Sequence, residues 1–68
     1  MEIKITFLRD NSSETISLED SSTVLTLLEK IKKDPDTLVI LRKGTPIPLD
    51  APLQDGDDLT LVIVTSGG

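Results

Sequence analysis

The sequence contains no cysteine and no histidine. Without thiols it can form no disulfide, and the strongest nucleophile and the commonest general base are both missing. A chain of 68 residues with no staple must hold itself together by its core alone. That fits a reducing, cytoplasmic setting. Tryptophan and tyrosine are also absent, and Phe7 is the single aromatic, so the stacking platforms that grip single-stranded nucleic acid are not available. Cations are in deficit: seven Lys and Arg stand against twelve Asp and Glu, a net charge of −5. That balance opposes binding to a phosphate backbone and suits a basic partner. No apolar run approaches the ~20 residues of a membrane span. The start, Met1-Glu2-Ile3-Lys4, lacks the basic and apolar regions of a signal peptide. These absences predict a single domain with neither a membrane nor a nucleic-acid role, and the chain is expected to be a monomer.

What is present alternates. Ile3, Ile5 and Phe7 interleave with Glu2, Lys4 and Thr6, the period of a half-buried strand over 2–8. A turn cluster, Arg9 to Ser13, leads to a second alternating run over 14–19 with Ile16 and Leu18 as its apolar set. The period then changes. Val24, Leu27, Leu28 and Ile31 fall at i, i+3, i+4 and i+7, one face of an amphipathic helix. Ser21 or Ser22 is the expected N-cap. Lys30, Lys32 and Lys33 sit where the helix dipole favours cations, and Asp34-Pro35 is the expected stop. Residues 37–42 read as a third strand. Pro46 to Leu49 reads as a short edge segment, because proline cannot donate to a ladder. After a turn at Gln54 to Asp58, with Gly56 at the left-handed position, Leu59, Leu61 and Ile63 alternate along a last strand. The order β-β-α-β-(β)-β predicts an α+β domain over 1–64: one helix packed on one face of a mixed four- to five-stranded sheet. The last strand should lie centrally, beside the first. The expected core is Ile3, Ile5, Phe7, Ile16, Leu18, Val24, Leu27, Leu28, Ile31, Ile47, Leu53, Leu59, Leu61 and Ile63.

The apolar residues exceed what one helix can cover. Leu38, Val39, Ile40 and Leu41 supply both faces of the third strand, and Val62 and Val64 lie opposite Leu61 and Ile63. Val39, Leu41, Val62 and Val64 are therefore expected to form an exposed patch, the mark of a partner surface. A one-residue slip in the third strand would turn Leu38 and Ile40 outward instead.

No catalytic or metal constellation is legible. Asp55, Asp57 and Asp58 beside Gly56 have neither the spacing nor the closing Glu of a calcium loop. What stands out is the ending, Thr65-Ser66-Gly67-Gly68, in which two glycines make a thread slender enough to pass close to another surface. The reactive group there is the carboxylate of Gly68. Adenylation would give it a good leaving group and open its carbonyl to sulfur or an amine.

The β-β-α-β-β order, the segment R-K-G-T-P-I-P at 42–48, the segment L-Q-D-G-D-D-L-T-L at 53–61 and the final G-G together resemble the ubiquitin-like β-grasp proteins. Within that family they are most similar to the prokaryotic sulfur carriers of molybdopterin, thiamine and thiolated-tRNA synthesis and to the small archaeal modifier proteins. The chain is shorter than eukaryotic ubiquitin and has little room for that protein's extra helix near the end. The resemblance implies a non-catalytic carrier with no stably bound cofactor. A ubiquitin-activating-type enzyme would use ATP and Mg to adenylate Gly68, presented on the flexible tail 65–68 by Gly67. The product would be a thiocarboxylate for sulfur donation to an acceptor enzyme, or an isopeptide bond to lysines of target proteins. The resemblance also implies docking through Val39, Leu41, Val62 and Val64, with Thr65 and Ser66 leading to the tip. The competing reading is a β-grasp interaction domain whose glycines are incidental.

Overall fold

A computed structural model describes residues 1–64. Strands β1 (Glu2–Phe7) and β2 (Ser12–Ser17) form an antiparallel hairpin. Helix α1 (Val24–Lys30) follows, then a single 3-10 turn at Pro35–Thr37. Strands β3 (Leu38–Arg42), β4 (Thr45–Ile47) and β5 (Asp58–Ile63) complete a five-stranded sheet in the order β2-β1-β5-β3-β4. β5 sits at the centre, parallel to β1 and antiparallel to β3. This is the ubiquitin-like β-grasp, with one helix on one face of a mixed sheet.

Alternation decides which side chains go under α1. Ile3, Ile5, Leu59, Leu61, Leu38 and Ile40 are buried and meet Val24, Leu27 and Leu28 from the helix. Each such side chain contributes on the order of 1.5–3 kcal/mol through removal from water. Leu18, Ala51 and Leu53 close the sides of the core. Phe7, Ile16, Ile31 and Ile47 pack against it while remaining partly exposed. Ile63 departs from the expected core: it keeps the inward parity of Leu59 and Leu61 but is 43% exposed. A helix of seven residues runs about 10 Å, whereas a strand of six runs about 20 Å. The strand outlasts its cover.

The helix ends also differ from expectation. Thr23, not Ser21 or Ser22, is the N-cap, in a reciprocal hydroxyl arrangement with Thr26. The Ser22 hydroxyl is already engaged, donating to the Glu19 carbonyl at 2.6 Å. The helix closes before Asp34-Pro35, which instead open the 3-10 turn. Lys32 adopts φ +59°. The Lys32 N–H donates to the Glu29 carbonyl and the Lys33 N–H to the Leu28 carbonyl, the paired bonds of a left-handed C-terminal cap.

A polar strap fixes the loop before β5. Arg42 Nη2 donates to the Pro52 carbonyl and to Asp57 Oδ2, both at 2.9 Å, and the Gln54 N–H donates to the same carboxylate oxygen at 2.8 Å. The Glu2 N–H donates to Asp55 Oδ1 at 2.7 Å, and the Gly56 N–H to the Glu2 carbonyl at 2.8 Å. Gly56, at φ +88°, makes the turn these bonds require. The strap sets where β5 begins, and so the register of the central strand.

Two stability changes follow. Lys32→Gly relieves a side chain held in the left-handed region and should raise unfolding free energy by about 0.5–1 kcal/mol. Asp57→Ala leaves Arg42 and the Gln54 N–H without their shared acceptor and should lower it by about 1–3 kcal/mol. Urea denaturation measures both; a destabilised Lys32→Gly or a neutral Asp57→Ala contradicts the respective assignment.

Candidate functional site

The face of the sheet turned away from α1 carries the candidate surface. The register of β3 against β5 pairs Val39 with Val62 and Leu41 with Thr60, while Ile40 pairs with Leu61 on the covered side. This fixes the parity that the apolar run 38–41 leaves open: Leu38 and Ile40 are buried, and Val39 and Leu41 face outward, half-buried. Val62 is half-buried beside them, and Val64, whose N–H donates to the Thr37 carbonyl at 2.9 Å, is exposed. Pro46 lies opposite Leu41 on β4 and extends the apolar strip toward that edge.

Leu8 belongs with this group, although the alternating pattern assigns it no partner. It continues the outward parity of Glu2, Lys4 and Thr6, and its N–H donates to the Leu61 carbonyl. That bond brings it alongside Val62. Leu8 is 57% exposed and, with Arg9, Val62 and Ile63, lines an open cleft of about 300 Å³. The signal was present in the β1 alternation, but the parallel register of β1 against β5 was needed to read it. The remainder of this face is polar, with Lys4, Thr6, Thr15 and Thr60. The apolar strip is thus confined to the β5 and β3 side and to the end where β5 finishes.

Thr65, Ser66, Gly67 and Gly68 lie outside the described residues. The position of Val64 establishes the end of the sheet from which they continue. No group of His, Cys, Asp or Glu with metal-holding geometry occurs among the described residues. No helix among them is long and apolar enough to cross a membrane. Lys30, Lys32 and Lys33 make no ion pair among the described residues, and the Lys33 ammonium lies 5.4 Å from the centre of the Phe7 ring.

Comparison with known proteins matches this geometry. Among the solved structures that share the fold, three illustrate the match. SAMP1 from Haloferax volcanii superposes with a TM-score of 0.76 at 17% identity, over 100% of both chains. A putative molybdopterin converting factor, subunit 1, from Pyrococcus furiosus gives 0.76 at 24% identity, over 94% of this chain and 98% of that one. The ubiquitin of Caldiarchaeum subterraneum gives 0.78 at 27% identity, over 100% and 98%. No curated protein sequence matches. The model of the ThiS family matches residues 5–68, from the second inward isoleucine of β1 to the final glycine, and the chain belongs to the ThiS family.

Proposed function

We propose that this protein is a ubiquitin-like sulfur carrier or protein modifier whose working group is the carboxylate of Gly68. Support comes from family membership over residues 5–68 and from a fold shared with an archaeal modifier and a molybdopterin converting factor subunit. The observation that carries the reading is the division of labour in the molecule. The described residues supply a compact scaffold and a half-buried apolar strip that ends in the exposed Leu8 and Val64, with no histidine or cysteine to do chemistry. The unused reactive group is the one at the end of the chain.

In this reading residues 1–64 are the folded handle and 65–68 the thread. An adenylating partner of the ubiquitin-activating type binds ATP and Mg²⁺. A Gly68 carboxylate oxygen attacks the α-phosphorus, pyrophosphate leaves, and an acyl adenylate forms. A sulfide-level nucleophile then attacks the carbonyl carbon, AMP leaves, and a thiocarboxylate results. A lysine amine attacking the same carbon gives an isopeptide bond and AMP. The carrier's part is positional. Val39, Leu41, Val62, Val64 and Leu8 give the partner an apolar surface to desolvate, and Thr65 and Ser66 lead from it to the tip. Gly67 keeps the thread slim, since a Cβ there adds width and narrows the backbone choices.

The test is intact mass after incubation with the cognate adenylating enzyme, ATP, Mg²⁺ and a sulfur source. The reading predicts replacement of one oxygen by sulfur on the full chain, or conjugates to lysines of target proteins. It also predicts loss of both in Gly67→Val, with an unchanged denaturation midpoint. A chain that neither gains sulfur nor forms conjugates, with its sheet face still binding a partner, would instead be a β-grasp interaction domain.

A further inference from the structure

A second cleft opens on the covered side of the same pole, about 260 Å³ in volume and lined by Phe7, Arg9, Asp10, Lys33, Leu61 and Ile63. Three elements converge to build it. β1 and β5 run parallel, and β1 ends at Phe7 opposite Leu61, two residues before β5 does. The cap of α1 brings Lys33 over the Phe7 ring at 5.4 Å. Its floor is apolar, and it exists because α1 stops short of Ile63. Its rim holds two cations, Arg9 and Lys33, with no ion-pair partner among the described residues. The third rim charge, Asp10, makes no ion pair with either.

We propose that this cleft receives an acidic segment bearing an apolar side chain, on the protein that handles residues 65–68. This rests on the carrier reading above. Four residues reach at most ~14 Å, so a partner gripping residue 68 must lie against the pole where β5 finishes. Arg9 and Ile63 line both this cleft and the one beside Leu8 and Val62, so one partner surface covers the two continuously. An apolar side chain fills the floor, and adjacent carboxylates meet Arg9 and Lys33. The contact between the Lys33 ammonium and Phe7 holds that cation near its place, which reduces the ordering cost of binding. A long polyanion is disfavoured by the net charge of −5, whereas a short acidic segment engages only the local cations. Asp10 opposes the carboxylates from the rim.

The test is an NMR titration of the full ¹⁵N-labelled chain with two capped peptides, Glu-Asp-Leu-Glu-Asp and Lys-Lys-Leu-Lys-Lys, at about 0.15 M salt, where charges more than about 8 Å away are largely screened. The acidic peptide should shift the amides of Phe7, Arg9, Lys33 and Ile63. Arg9→Glu with Lys33→Glu should weaken it about tenfold, Asp10→Asn should tighten it about two- to threefold, and added salt should weaken it. In the adenylation reaction the double variant should raise KM for the carrier about tenfold and leave kcat unchanged. Equal binding of the basic peptide, insensitivity to the double variant, or shifts confined to Leu41 and Val62 overturns the proposal. The titration needs neither ATP nor enzyme, so its failure leaves the chemistry of Gly68 standing. Absence of adenylation with intact peptide binding instead removes the carrier reading.

Discussion

A central strand covered on one side only is the constraint from which the rest of this structure follows. β5 pairs with β1 on one edge and β3 on the other, so its backbone groups are satisfied and its side chains must divide between two faces. α1 provides cover for one of them. Leu59 and Leu61 go under the helix, and Thr60 and Val62 go to the other side. The same division passes through the register to Ile40 and Val39 on β3 and to Ile5 and Thr6 on β1. The outward strip is therefore no separate invention: the pairing that builds the core also sets its position.

The second consequence is at the end of the strand. α1 is short, and its cap brings Lys33 over Phe7. β5 continues past it, which leaves Ile63 43% exposed. Two clefts flank this protruding end, one on each side of the sheet, and share Arg9 and Ile63. At the opposite end Arg42, Asp57, Asp55 and Glu2 fasten the start of β5. The strand is thus anchored where it begins and exposed where it leaves, an arrangement suited to presenting what comes after Val64.

Much of this was legible in the sequence, because period-2 alternation in 2–7 and 58–63 and the i, i+3, i+4, i+7 spacing from Val24 report directly on which residues face inward. The central place of β5 follows from its apolar content. Other features needed three dimensions. Ile63 has core parity, but parity does not say how far the covering helix extends. Three hydroxyl residues stand in a row at 21–23, and only the engagement of Ser22 with Glu19 leaves the cap to Thr23. Leu8 ends an alternating run, and its neighbour Val62 is 54 positions away, brought close by the parallel register. The cleft under Lys33 depends on a left-handed lysine cap, where glycine would have been the clearer sequence signal.

The central claim is that folding and chemistry occupy separate parts of the chain. Removal of Gly67 and Gly68 tests it most directly. The truncated chain should keep the urea midpoint and the amide spectrum of residues 1–64 unchanged, and should support no ATP–pyrophosphate exchange by an enzyme that the full chain does support. Exchange at an undiminished rate, or a truncated chain that no longer folds, would contradict it.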